Sequence, residues 1–548
     1  MTAVFVILLA APLVAALACL KAPVPACQAL SIVAGAASFA AVVVLVPTAA
    51  HHDLTLGRYL RADAISVVFL LATSFLYAAV ATYSVGYFRS DAPPGVSARY
   101  ARRFYAGLNL FAWAMLAAPL MSSLALLWIA IEVTTVVSAL LVAIENTDRA
   151  VEAAWKYILI ASAGLGLALL ATIFMYAAGA HVLGQSYDLT FTELLRAGPR
   201  LPHTLVRLAY GLAVLGFGTK VGLFPVHTWL PDAHSEAPTP VSALLSGSLL
   251  AVSFYAILRY YQVSVAALGP RFPQGLLLAF GIASLLLAAL YLFNQGDIKR
   301  LLAYSSVEHM GILAIGVSFG APIAFAGVLL HVLAHAAAKG NAFMGAGVLV
   351  RKYRTKLIAD VNGGLDLLPW SGPLLLATVL ALCAMPPFGI FRSEFLIVAG
   401  GFATSKNAAA AVLIIAVTVA FLGLSLSANR MLFYPATKRL PRGEPSAWMV
   451  IPVVAGVAAL VLLGVHPPAG LSELLTRGAA ELRDRRAAGC SDAGRRLRRG
   501  GHSLPDRHRP RQCAGRPGDR GGCRSPGQDP DRHRVHATGG RRRGDTAG

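Results

Sequence analysis

Apolar runs of about 18 to 25 residues recur along most of the chain, separated by short polar connections. At 1.5 Å per helical residue such runs cross a hydrocarbon layer about 30 Å thick. The pattern predicts fourteen spans, near 3–20, 29–47, 62–82, 104–120, 123–143, 156–178, 207–225, 241–262, 275–293, 301–318, 322–349, 372–400, 408–431 and 447–465. The opening segment MTAVFVILLAAPLVAALACL lacks a basic stretch and is read as the first span rather than as a cleaved leader.

Two spans are interrupted. The seventh runs into LFPVHTWLPDAHSEAPTPVSA, whose four prolines and two histidines cannot continue a regular helix. The twelfth contains Met385-Pro386-Pro387-Phe388-Gly389. The breaks lie five spans apart, and interrupted helices at matching places in two halves point to a transport site near the bilayer midplane. An odd repeat length forces opposite orientations, so the repeats are expected to be inverted. The expected organisation is three helices over 1–103, five-helix units over 104–262 and 275–432, a last helix over 447–466 and an Arg/Gly-rich tail over 483–548.

Composition supports this all-α polytopic membrane class. Hydrophobic residues make up 57% of the 548, charged residues only 13%, and mean hydropathy is +0.64. A soluble domain averages about 25% charged residues, so a soluble catalytic enzyme is excluded. The formal net charge of +21 is inflated by the tail, where 18 Arg meet 7 Asp and no Lys. That tail reads either as a disordered basic arm or as out-of-frame translation of a GC-rich gene. The loops holding Arg99, Arg102, Arg103, Arg351, Lys352, Arg354 and Lys356 form the basic side, which is assigned to the cytoplasm. Both termini then face outward across an inner (plasma) membrane. A basic arm there would oppose the positive-inside bias, which favours the out-of-frame reading. The six cysteines have no ligand spacing, so no metal, cluster or cofactor is expected, and no nucleic-acid partner.

Charges within spans are rare and usually functional. Glu132 lies mid-span in LALLWIAIEVTTVVSALLVAIE, too deep to reach the surface along its helix. Its bland alternative is a neutral carboxyl held by Thr134 or Thr135. Lys220 precedes the first break, where it either snorkels or serves the site. Glu394 follows the second break, with Arg392 as a possible structural partner. Glu308 and His309, in AYSSVEHMGILA, form either an interhelical lock or part of a relay. Asp63 sits where a helix cap belongs.

The stretch HVLAHAAAKG places His331, His335 and Lys339 four residues apart. Each step advances only about 40° around a helix, so all three share one stripe. Mutual repulsion draws such groups towards neutrality, as a proton relay needs.

Four blocks carry a resemblance. GTKVGLFPVHTWLPDAHSEAPTPVSALLSG, LWIAIEVTTVVSALLV, HVLAHAAAKGNAF and MPPFGIFRSEF resemble the antiporter-like, proton-translocating subunits of respiratory complex I and membrane-bound hydrogenases, over about residues 60 to 465. NQGDIKRLLAYSSVEHMGILAIG is most similar to the component F branch of hydrogenase-4-type complexes. The resemblance implies fourteen helices in inverted repeats. It also implies a relay from Glu132 and Lys220 through His331, His335 and Lys339 to Glu394. His227 and His234 fall in the matching signature loop, where a structural role ranks ahead of a relay role. Many relatives carry a Lys where this chain has Ala251, so either water bridges that gap or Lys339 takes over more of the path, which the histidines of the same helix support. Implied partners are other membrane subunits and, indirectly, peripheral redox subunits. The implied cargo is the proton, with Na+ the alternative. The rival reading is a subunit of a cation/proton antiporter complex without a redox partner. An inactive scaffold is a third.

Overall fold

A computed structural model describes residues 2–89, 98–436 and 440–483. All but the first residue of the Arg-rich tail lies outside the described residues.

The chain opens with α1 (Thr2–Cys19), α2 (Val24–Ala49) and α3 (Ala64–Arg89). The next helices are α4 (Ala98–Ala117), α5 (Leu124–Val142), α6 (Asp148–Leu183), a short α7 (Phe191–Ala197) and α8 (His203–Val221). A short α9 (Trp229–Glu236) leads into α10 (Thr239–Leu244), which a π-helical stretch, Leu245–Leu249, joins to α11 (Leu250–Leu268). Then come α12 (Arg271–Tyr291), α13 (Ile298–Phe319), the long α14 (Pro322–Tyr353) and a single turn, α15 (Gly364–Leu367). The chain finishes through α16 (Ser371–Leu382), α17 (Gly389–Ala403), α18 (Asn407–Phe433), α19 (Ala447–Val465) and α20 (Ala469–Leu482).

Among the described residues, twelve spans are long and apolar enough to cross a membrane. The two remaining expected spans are also helical. The 104–120 span falls in α4, whose first turns hold Arg99, Arg102 and Arg103, and the 372–400 span is divided into α16 and α17. The α10–α11 rod, α13 and α14 are buried along nearly their whole length, whereas α1, α2, α18 and α19 each leave one side uncovered. The polar helices therefore sit at the centre and the apolar ones face outward. This is the arrangement a bilayer requires, because charged groups are tolerated only against protein or water.

Both predicted breaks are present. Helix α8 stops at Gly222, whose φ of +83° places it in the left-handed region that closes helices. The backbone then turns through 223–228 before α9 begins. The second break occupies 383–388, between α16 and α17.

Two features were not legible in the sequence. A small antiparallel hairpin, Leu54–Leu56 with Leu60–Ala62, precedes α3. Beyond the last span, the piece near LSELL extends into the amphipathic helix α20, which packs on α2, α3 and α14.

These features meet at one buried polar cluster. Asp63 caps α3, accepting from the Ser66 amide at 2.9 Å, and pairs with Arg259 of α11 at 2.6 Å. Gln262 of α11 donates to the Glu481 carbonyl of α20 at 2.9 Å. Burial on its own would raise the Asp63 carboxyl, but the Arg259 and Arg61 charges outweigh it and hold the group at about 2. Glu481 goes the other way. Burial and then the Asp63 charge push it up to about 7, against the pull of Arg259.

A carboxyl raised from 4.5 to about 7 in the folded state favours folding while it keeps its proton. That contribution is whole below pH 4.5 and declines between 4.5 and 7 as the unfolded chain alone releases the proton. Amide exchange in α20 is therefore expected to quicken as pH rises from 5 to 8, after correction for intrinsic exchange. In Glu481→Gln the pH dependence should vanish. An unchanged pH profile in that variant would show that Glu481 is not the group responsible.

Candidate functional site

The titratable side chains singled out in the spans lie on α5, α8, α9, α13, α14 and α17. Glu132 sits in the middle of α5 and is only half-buried. Lys220, in the last turn of α8, is fully buried. Its ammonium donates to Thr135 Oγ1 of α5 at 2.8 Å and to the Tyr157 hydroxyl of α6. Tyr157 in turn meets Ser138 Oγ at 2.7 Å. Glu132 and Lys220 form no ion pair within 4.0 Å, and Glu132 Oε2 has no hydrogen-bond partner among the described residues. Glu132 is nonetheless the charge that acts on Lys220. Of the two threonines named as holders of a neutral Glu132, Thr135 accepts from the lysine instead and Thr134 donates to the Ile131 carbonyl at 2.6 Å.

The turn after α8 carries His227, which packs its ring against Phe224 and Tyr304, with Nδ1 unpartnered among the described residues. His234, on α9, is fully buried and neither ring nitrogen has a partner among the described residues. Its ring stacks on Phe343 of α14 at 5.2 Å and on Trp229 at 6.5 Å. Trp229 lies 4.5 Å from the Tyr157 ring, so the Lys220 and His234 surroundings are contiguous.

The α14 stripe is buried as its spacing predicts: His331, His335 and Lys339 are all inaccessible. Helix α13 lies against α14 and supplies a facing stripe. Lys339 Nζ donates to Ser305 Oγ at 2.6 Å and to the Leu302 carbonyl at 3.2 Å. One turn further along α13, His309 Nδ1 approaches His331 Nε2 at 3.2 Å. His335 lies beside both rings, with centroids 5.4 and 6.3 Å away, and its nitrogens have no partner among the described residues. Glu308 is buried on α13, and it is the carboxylate whose charge acts on Lys339. Gly247, in the π-helical stretch, permits close approach to α14, since a Cβ there would stand 3.0 Å from the Ala336 carbonyl.

At the far end, His331 Nδ1 meets Ser393 Oγ of α17 at 2.9 Å. Glu394, beside it, places Oε1 4.0 Å from His309 Nδ1 and has no hydrogen-bond partner there. Arg392 does not neutralise Glu394. It donates to the Gly464 and Val465 carbonyls at 3.3 and 3.4 Å. The donor atoms of His309, His331 and Glu394 lie within 4.8 Å of one another, a spacing a cation could bridge. The hydrogen bond between the two rings already engages the nitrogens that would face the ion, which suits a proton path better.

The structure thus brings His309 to the α14 histidines and sets Glu394 beside them, with Lys339 one rung away on Ser305. Ala251 is buried in α11, just past the π-helical stretch, and contributes no polar atom there. The hydroxyls of Tyr157, Ser305 and Ser393 were not legible from the sequence, and Thr135 was named there only as a partner for Glu132. Of the three, Ser305 left a trace, being four residues from His309 on one helical face.

Likeness to known proteins covers the same region. Residues 121–422 match the family model described as NADH:quinone oxidoreductase/Mrp antiporter, TM. The chain is 36% identical over 418 residues to the hydrogenase-4 component F homolog of Methylacidiphilum infernorum, covering 75% of this chain and 86% of that one. It is 32% identical over 355 residues to hydrogenase-4 component B of Escherichia coli, covering 63% of this chain and 50% of that one. Among solved structures, a chain of the archaeal membrane-bound sulfane sulfur reductase superposes with a TM-score of 0.77 at 20% identity, covering 88% of this chain and 98% of that one. A chain of the Mrp complex from Dietzia sp. gives 0.76 at 19%, again over 88% and 98%. A chain of Thermus thermophilus respiratory complex I gives 0.73 at 24%, over 87% and 99%. These superpositions carry the fold, and the family match spans both breaks and the buried ladder from Glu132 to Glu394. The chain belongs to the NADH:quinone oxidoreductase/Mrp antiporter transmembrane family.

Proposed function

We propose that the chain is the antiporter-like, proton-translocating membrane subunit of a redox-driven complex of the hydrogenase-4 or NADH:quinone oxidoreductase type. The observation that carries this reading is the set of buried titratable groups strung between the two broken helices. Lys220 acts as the switch. Its ammonium is held by hydroxyls rather than by a carboxylate, so its proton affinity depends on how near the Glu132 charge stands. An opposite charge within about 4 to 6 Å shifts a pKa by about 1 to 3 units, enough to hand a proton on. Lys339, His335, His331 and His309 then carry it towards Glu394. The chain has no cofactor site of its own in this scheme, and electron transfer belongs to partner subunits.

Glu132 also supports a membrane partner. It is partly exposed in mid-span, with Oε2 buried, on a face where Ile129, Val136 and Leu140 are each about half uncovered or more. A carboxyl even partly open to lipid is costly, whereas a neighbouring subunit covering that face would explain its place. The orientation follows from loop charge, with the Arg351–Lys356 side in the cytoplasm of an inner (plasma) membrane and both termini outside. The five-helix units over 104–262 and 275–432 are read as inverted repeats about this midplane ladder.

The test is proton uptake by proteoliposomes of the intact complex carrying Glu132→Gln or Lys220→Ala. Both are expected to lower pumping by about tenfold or more while the complex still assembles. Pumping at the wild-type rate in both would sink the scheme. Transport that needs Na+ and no electron donor would instead favour the cation/proton antiporter reading.

A further inference from the structure

One buried lysine has no place in that relay. Lys299, in the first turn of α13, is 6% exposed. It forms no ion pair within 4.0 Å among the described residues. Its ammonium donates instead to the Ala237 carbonyl at 2.6 Å and to the Ser235 carbonyl at 3.5 Å. These carbonyls belong to the end of α9, one and three residues beyond His234. An ammonium buried without a carboxylate partner is among the costlier arrangements a fold can hold.

Around it the exposure falls in steps. Lys356, its side chain 28% exposed, pairs with Glu236 at 2.6 Å and Asp297 at 3.7 Å. Glu236 is 23% exposed and Asp297 10%. Ser235 Oγ donates to Asp297 at 2.9 Å and accepts from Lys356 at 3.0 Å. The charges acting on Lys299 are Glu145, Lys356, Asp297 and Glu236, which places it against the inner wall of this cluster. Deeper still is His234, inaccessible and with neither nitrogen partnered among the described residues. Its ring stacks on Phe343, one turn along α14 from Lys339, while Lys299 holds the carbonyls one and three residues beyond it, and both lysine charges act on the ring. The cluster opens on the side of the Arg351–Lys356 loop.

We propose that Lys299 is the proton-uptake residue of this subunit, connecting the Glu236–Asp297–Lys356 cluster to His234 and through it to Lys339. The inference rests on the relay reading above and adds its starting point. One proton from the aqueous side reaches the amine of Lys299. Neither lysine is hydrogen-bonded to the His234 ring, so bridging water carries each transfer: an Nζ–H bond of Lys299 breaks as an N–H bond forms on His234, and His234 gives its proton up towards Lys339. Each transfer returns the donor to its starting state, so no oxidant or reductant is involved.

A purely structural role, holding the two carbonyls at the end of α9, needs a donor but not a group that releases its proton. Lys299→Arg keeps charge and donors yet does not deprotonate in a protein, and Lys299→Gln keeps a donor without charge. In proteoliposomes of the intact complex, both are expected to assemble and to pump about tenfold slower or worse. His234→Gln should match them. If either Lys299 variant assembles and pumps at half the wild-type rate or more, the proposal is overturned. It is equally overturned if neither assembles, since Lys299 is then structural. Glu132→Gln and Lys220→Ala serve as parallel arms. Normal pumping in the Lys299 variants alone removes the uptake residue, whereas normal pumping in every variant removes the relay itself.

Discussion

Lys339→Ala is expected to lower proton translocation by about a hundredfold, the scale on which a positioned acid–base group contributes. The reason is its isolation as a carrier. Ala251 leaves α11 without a charged group at this level, so in the proposed relay the Lys339 ammonium links the His234 side to the α14 histidines. Its fixed partners, Ser305 Oγ and the Leu302 carbonyl, hold the amine against α13 without neutralising it. Lys339→Arg separates two roles, because the guanidinium keeps the charge and cannot release its proton. A relay predicts that Arg is nearly as damaging as Ala. The measurement is the initial rate of acidification, by quenching of a pH-sensitive dye, in vesicles holding equal amounts of assembled complex. Near-normal pumping by Lys339→Arg would mean that only the positive charge matters and that the proton passes elsewhere.

The second large effect concerns stability rather than transport. Asp63→Asn removes the carboxylate that neutralises Arg259, and both side chains are 1% exposed. Breaking a buried pair from one side costs about 3 to 5 kcal/mol, because the remaining charge stays desolvated. Arg259 retains other contacts: Gln262 Oε1 at 2.9 Å, Ser66 Oγ at 3.0 Å, and the Phe191 ring 4.4 Å from its guanidinium carbon. None of these carries a negative charge. The variant should therefore show a lower thermal midpoint in detergent and looser docking of α3, α11 and α20. Adding Arg259→Met should recover much of the loss, since an apolar replacement of a buried pair is often neutral. Should Asp63→Asn melt with the wild type, the guanidinium is better solvated than its burial indicates. The same cluster gives a pH limit. Asp63, held at about 2, contributes fully above 3.8, and that contribution fades as pH falls towards 2.

Some of this was written along the chain and some was not. Length and hydropathy alone located the spans, because a helix in lipid must satisfy every backbone group within itself and so announces itself as one long apolar run. Proline clusters marked both breaks for the same local reason. The four-residue spacing of His331, His335 and Lys339 fixed a common stripe, since helix geometry is a property of sequence separation. Asp63 was legible as a cap, but its partner Arg259 was not, being 196 residues away.

Which groups touch was decided only by packing. Ser305 reaches Lys339 across 34 residues and Tyr157 reaches Lys220 across 63. Serine, threonine and tyrosine are too common in buried helices for either to stand out beforehand. The face of Glu132 likewise depends on how α5 packs, because no periodicity says which side meets neighbours and which meets lipid. Lys299 shows the difference most clearly. By sequence it is an ordinary basic residue at the start of a span, where lysines usually reach for water. In the fold, α9 and the Lys356 loop close over it, and the water is replaced by two carbonyls.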